Sequence, residues 1–258
     1  MAGGFIKSFR ILILLYILFM VAVSSWLTRQ QSTAWDRPLR IVIYPINGDG
    51  SEATRLYIGK LGMDTFQTIE TFFDSEAERY KVLVKHPVDV YLSSEINGYP
   101  PQAPHGGSVR SIMSWSLKLR YWAWCHDNYD YPKDIQIFVQ YYDPDTHERV
   151  AHSLGLQKGL VGVVNAFSSE TMAAGNNVII VHELLHTLGA TDKYDPGTNL
   201  PVYPTGYADP GQDPIFPQKK AEIMAGRIPI DMDKAEIPDR LQNTVIGEIT
   251  AREIYWSN

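Results

Sequence analysis

Apolar positions along this chain change period several times, and each change predicts an element. "LRIVIYPI", Leu39 to Ile46, is a β-branched run closed by "NGDG" and predicts a buried strand. From Ser51 to about Tyr80 the period turns helical: Leu61, Phe66, Ile69, Phe72, Phe73 and Ala77 recur at three- and four-residue steps. Gly59 and Gly62 are expected to split that stretch into two helices. "KVLVKHPVDVYL" reads as a strand, and Pro87 puts it at an edge or a bulge. After a loop over 97–107, "SVRSIMSWSLKLRYWAW" predicts an amphipathic helix whose tryptophans pack into the core. "DIQIFVQYYD" and "GLVGVVNAF" are further strands, and an apolar helix containing "VIIVHELLH" follows the second. The end, "NTVIGEITAREIYW", returns to helical spacing. Strands alternate with helices, so the pattern predicts one layered α/β (α+β) domain with a mixed, twisted sheet over residues 39–258.

Ahead of that domain, Lys7 and Arg10 precede an uncharged run of 17 residues, Ile11 to Leu27. Its length is at the short end of what crosses a bilayer core about 30 Å thick. Residues 1–27 therefore read as a signal anchor or a signal peptide. Ala22-Val23-Ser24 offers a cleavage site, whereas Trp26 suits a membrane interface and favours the anchor. Residues 28–38 are a polar linker ending at Pro38. The domain is then expected outside the cytoplasm, periplasmic or extracellular, tethered to the membrane or secreted if the segment is cleaved.

Composition narrows the partners. A formal net charge of −6 gives no reason to expect nucleic acid, since a phosphate-binding surface is usually basic. Cys125 is the only cysteine, so no disulfide forms within the chain, and it is expected to be a small buried side chain beside the tryptophans.

The chemistry concentrates in "VIIVHELLHTLGATDKYD", Val178 to Asp195. Residues four apart on a helix share a face, so His182 and His186 can aim two imidazoles at one metal ion. Glu183, beside the first ligand, can take a proton from a metal-bound water. Gly189 can end the helix in a left-handed turn and bring Asp192 back as a third ligand. Two imidazoles and a carboxylate form a complete catalytic zinc set with one position left open. Burying these polar groups on one helical turn without a metal would cost about 1–3 kcal/mol for each unpaired group.

"HELLHTLGATD" resembles the H-E-x-x-H-x-x-G-x-x-H/D signature of the metzincin peptidases. It is most similar to the snapalysin and immune inhibitor A types, whose third ligand is aspartate. The resemblance covers the motif and its surroundings and implies a zincin-like fold, one catalytic Zn2+ and hydrolysis of a peptide or protein substrate. It further implies that Met224, in "AEIMAG", lies in a tight turn under the metal. "GLVGVVNAF" would be the edge strand on which an extended substrate pairs. Two positions depart from the family pattern. Ala190-Thr191 replaces Leu-Pro, and Gly226 stands where some metzincins carry a metal-associated tyrosine. That leaves Tyr194, Tyr203 and Tyr207 as candidates for the transition-state donor.

Rival assignments remain open at the sequence level. Glu222 is an alternative third ligand, as in peptidases that use a distant glutamate. Asp195, Asp209 and Asp213, in a Gly/Pro-rich stretch, are a candidate Ca2+ site, although their spacing fits no named loop and solvated turn residues explain them better. A catalytically silent, membrane-tethered module with a structural metal, and a zinc hydrolase of a non-peptide amide, are the competing functions.

Overall fold

The computed structural model describes residues 9–13, 15, 16, 19, 34–104, 108–157 and 160–257. Most of the predicted membrane segment, and residues 28–33 of the linker, thus lie outside the described residues. Among the described residues no helix is long and apolar enough to cross a membrane.

A five-stranded mixed sheet organises the domain. Its strands are β1 (Leu39–Asn47), β2 (Val88–Leu92), β3 (Ile135–Tyr142), β4 (Leu154–Leu156) and β5 (Val161–Phe167), in the order β2-β1-β3-β5-β4. The first four in that order run parallel, and β4 pairs with β5 antiparallel. Parallel strands need crossover connections: the helices α1 (Glu52–Ile58) and α2 (Gln67–Tyr80) carry the chain from β1 to β2 and α3 (Val109–Cys125) carries it from β2 to β3, while α4 (Ala173–Leu188) follows β5. Both faces of the sheet are covered, which is why β1 reads as a continuous apolar run. Leu39, Ile41 and Ile43 join one core with α1, α2, α4 and the C-terminal segment. Val42, Tyr44 and Ile46 join a smaller core under α3, with Phe138, Val161, Val163, Leu119 and Ala123.

Several expectations are corrected here. "GLVGVVNAF" is not the sheet edge: β5 is interior, and the short β4 lies outside it. The strand predicted from Lys81 begins only at Val88, because Lys81 ends α2 in a left-handed conformation (φ 57°). The C-terminal stretch is helical only over α5 (Glu248–Glu253), since Thr244–Val245 pairs with Ala221–Glu222 instead. Trp115 and Trp122 pack partly against the core, but Trp124 points outward, and Cys125 is exposed beside it. Trp35, in the predicted linker, is buried: its Nε1 donates to the Ile254 carbonyl at 2.7 Å and its ring meets Trp256 edge-on.

Candidate metal centre

The helix α4 is fixed at both ends by its own sequence. Val178, Val181, Leu184, Leu185 and Leu188 are buried in the larger core. Asn176 exchanges two hydrogen bonds with the Phe167 backbone, and Asn177 donates to the Thr65 carbonyl and to Thr68. Both polar atoms of the Asn176 amide are thereby satisfied, whereas the buried Asn177 Oδ1 has no hydrogen-bond partner among the described residues. At the other end Gly189 has φ 108°, its N–H reaches the His186 carbonyl, and the Ala190 N–H reaches the Leu185 carbonyl at 3.0 Å. This left-handed cap, natural to glycine, reverses the chain so that Asp192 returns to the two histidines.

His182, His186 and Asp192 converge. The Nε2 atoms of the two histidines are 3.1 Å apart, and Asp192 Oδ1 lies 3.2 Å from one and 3.1 Å from the other. The opposite ring nitrogens fix the tautomers. His182 Nδ1 meets the Ile223 carbonyl and His186 Nδ1 the Ala190 carbonyl, each at 2.9 Å. A carbonyl only accepts, so both Nδ1 atoms carry protons, and in the neutral rings both Nε2 atoms present lone pairs. In that neutral state three acceptors face one point, which calls for a cation. That donor set, two neutral imidazoles and a carboxylate with their outer nitrogens held by carbonyls, fits a divalent transition metal such as zinc. Among the described residues this trio is the one group of three or more potential ligands whose donor atoms lie within 4.8 Å of one another.

The electrostatics agree with the geometry. Burial would raise the Asp192 carboxyl, but hydrogen bonds and the charges of His182 and His186 outweigh it and hold Asp192 well below the usual carboxylate range. Burial would lower His182, yet Asp192 and the nearby Glu183 charge raise it above its ordinary value. Glu183 is raised chiefly by burial, against the two histidines, which lower it. Its Oε2 is buried without a hydrogen-bond partner. A buried carboxylate oxygen without a donor is free to accept a proton.

The segment 222–226 passes beneath the trio. Ala225 and Gly226 both donate to the Glu222 carbonyl, making a tight turn in which Met224 is fully buried. Ile223 and Met224 turn their carbonyls to the site, one to His182 and the other to the Lys193 N–H at 3.0 Å. Glu222 itself is occupied elsewhere: Thr250 Oγ1, the Gly247 N–H and the Ala225 N–H all donate to its carboxylate. It thus lies apart from the three convergent side chains.

Of the three candidate tyrosines, Tyr194 lies with the carboxylates. Its pKa is raised first by burial and then by Asp192 and Glu183. Tyr203 and Tyr207 instead pack on one another, and Tyr207 also on Phe216. The three aspartates proposed for calcium do not gather: Asp195 caps its own turn through Gly197 and Thr198, and Asp209 binds Gly211 and Gln218 locally. The Pro-rich stretch is held instead by Gln212 and Gln218, whose amides make five hydrogen bonds to four carbonyls, those of Asp209, Pro214, Ile215 and Pro217.

Three features escaped sequence reasoning. The edge strand β4 lies against α4: a Cβ on Gly155 would come within 2.6 Å of His186 Cβ, and closer still to the Glu183 carbonyl oxygen. Lys193, buried, donates to the Thr191 carbonyl, the Thr191 hydroxyl and Glu253, each at 2.7 Å. Glu253 also accepts from the Thr191 N–H and hydroxyl, so the loop carrying Asp192 is clamped to α5. No protein-family model matches the chain, and no curated protein is significantly similar to it.

Proposed function

We propose that this chain is a zinc-dependent metallopeptidase with a zincin-like domain of metzincin type. His182, His186 and Asp192 are the zinc ligands, and Glu183 is the general base and then the general acid. The observation that carries the reading is the convergence of His182 Nε2, His186 Nε2 and Asp192 Oδ1, with both Nδ1 atoms held by backbone carbonyls. Bound there, zinc would acidify a water molecule and polarise a carbonyl.

The chain's own groups suit the remaining work. Glu183 Oε2 has no competing partner, and burial lifts its pKa toward the range in which one carboxyl both takes and returns a proton. The tight turn at 222–226 and the clamp from Glu253 keep the ligands in place from below and from the side. Beside the ligands, β4 ends the sheet, and an extended peptide could pair on such an unpaired edge. Tyr194, facing Asp192, is a phenol donor at the rim. A structural zinc site is normally closed by a fourth protein ligand, and the described residues bring three together, which favours a catalytic role over a silent module. Residues 1–27 would hold this domain at the outer side of a membrane.

The test is zinc content by elemental analysis of the full chain, wild type, Glu183→Ala and Asp192→Ala, followed by a peptide-library screen. One zinc per chain, kept in Glu183→Ala but weakened in Asp192→Ala, together with cleavage lost in Glu183→Ala, is the expected result. A chain that takes up no zinc after reconstitution would refute the proposal.

A further inference from the structure

α3 is amphipathic in an unexpected sense. Leu119 and Ala123 turn to the sheet, and Trp115 and Trp122 fill the flanks. The opposite side is also apolar: Met113 is 60% exposed, Leu117 57%, Tyr121 68% and Trp124 73%. These four positions recur at helical spacing, so they form one stripe along the outer face. The Tyr121 and Trp124 rings lie against each other, 6.0 Å apart. The cationic Arg110 and Lys118 are exposed, Arg120 is partly so, and the helix contains no acidic residue. None of the three has an ion-pair partner among the described residues, in a chain whose net charge is −6.

We infer that the outer face of α3, with Met113, Leu117, Tyr121 and Trp124 between Arg110, Lys118 and Arg120, is a docking surface for an anionic phospholipid membrane. An interfacial helix places leucine and tryptophan in the headgroup region while its arginines and lysines meet lipid phosphates. Charge complementarity selects lipid over a second copy, because two such helices would bring six cations together with no anion to offset them.

The tether points the same way. The apolar run Ile11–Leu27 ends ten residues before Arg37, a reach of at most about 35 Å. Arg37 is bound through both guanidinium nitrogens to Asp134, nine residues beyond Cys125. A short leash therefore fastens close in sequence to the end of α3, and the stripe gives the domain a second hold on the same surface. Two weak holds act together when one raises the local concentration for the other.

Cys125, the sole cysteine and exposed, lies beside Tyr121 and serves as the reporter. The full chain is labelled there with a fluorophore and reconstituted in vesicles carrying headgroup spin labels. One set is phosphatidylcholine with an equal part of phosphatidylglycerol, the other phosphatidylcholine alone. Strong quenching is expected in the anionic vesicles, falling several-fold in phosphatidylcholine alone, in high salt and in Arg110→Gln/Lys118→Gln. Leu117→Glu/Trp124→Glu, at exposed positions, should abolish quenching while the chain stays with the vesicles and its circular dichroism is unchanged. Three results would overturn the inference: an unquenched label on the anionic vesicles, quenching that the double glutamate variant leaves intact, or lipid-independent self-quenching, which would place a second copy on the stripe.

Discussion

His182 Nε2 and His186 Nε2 face each other at 3.1 Å, and each ring has already committed its Nδ1 proton to a backbone carbonyl. Between neutral rings this is a contact of two lone pairs, with the Asp192 carboxylate as a third. Such an arrangement calls for a cation, either a metal ion or one extra proton, and the two differ in how they depend on pH.

Without metal, the extra proton is favoured by folding, because His182 is raised above its ordinary 6.5. A raised histidine contributes stability that is complete below its unfolded pKa and is lost as pH climbs through the folded one. Asp192, held below its ordinary 3.8, contributes above that value and loses its contribution in strong acid. Taken together, these two groups favour the metal-free fold most between their ordinary values of 3.8 and 6.5, and the His182 share is lost as pH rises above 6.5. Zinc competes with the proton, so the zinc-loaded chain should show its largest gain at the alkaline end. Saturation at a hundred times Kd would be worth about 2.7 kcal/mol. Thermal melts with zinc and with chelator across this range check it. A zinc-induced gain that grows as pH falls would contradict the assignment.

The second prediction separates Glu222 from the ligands. Its carboxylate accepts three hydrogen bonds, from Thr250 Oγ1 at 2.6 Å and from the Gly247 and Ala225 N–H groups at 3.1 and 2.9 Å. Glu222→Gln would set an amide donor against these donors, at a cost of about 1–3 kcal/mol. Zinc stoichiometry should stay at one per chain. Loss of zinc from a variant with an unchanged melting curve would return Glu222 to the ligand set.

What the sequence made legible were the local relations. The four-residue spacing of His182 and His186 and the cap at Gly189 depend on residues within one or two helical turns, and both occur as expected. The strong strands β1, β3 and β5 were readable for the same reason, as long β-branched runs. The edge of the sheet was not: β4 has three residues, one of them glycine, too few for any period to show. Nor was the partner of Lys193, since Glu253 lies sixty residues away. Helical spacing identified α3 as amphipathic, but apolar residues lie on two of its faces, and only the packed sheet decides which pair, Leu119 and Ala123, turns inward. The zincin-like fold and the peptidase activity rest on the motif's resemblance and on the geometry of the trio.

The third prediction concerns that distant pair. Glu253 binds Lys193 and Thr191 on either side of Asp192 but lies outside the ligand trio. Burial opposes its ionisation, yet these bonds hold its pKa below the ordinary carboxylate value. Glu253→Ala removes them and frees the loop, leaving the buried Lys193 ammonium without its carboxylate. Outer-shell changes of this kind cost about 10–100-fold in metal affinity. Chelator competition should show that weakening, while Glu253→Gln, which keeps acceptor capacity for Thr191, should fall between. Wild-type zinc affinity in Glu253→Ala would mean that the loop holds Asp192 unaided.

The last prediction compares two glycines on paired strands. Gly155 and Gly162 are register partners in β4 and β5, and each is crowded. A Cβ at Gly162 would meet Ile137 Cδ1 at 2.7 Å, the far end of a side chain that can change rotamer. A Cβ at Gly155 would instead meet the α4 backbone at Glu183 and the Cβ of His186, at 2.6 Å from the latter, neither of which can yield without moving the helix or the strand. Overpacking of that kind typically costs about 1–3 kcal/mol, and here the displaced atoms belong to Glu183 and His186. Gly155→Ala should lower the melting temperature more than Gly162→Ala, and it should reduce peptide hydrolysis per bound zinc while Gly162→Ala retains most of it. If both variants kept full activity, close packing of β4 on α4 would not be what sets the distance between the substrate edge and the metal centre.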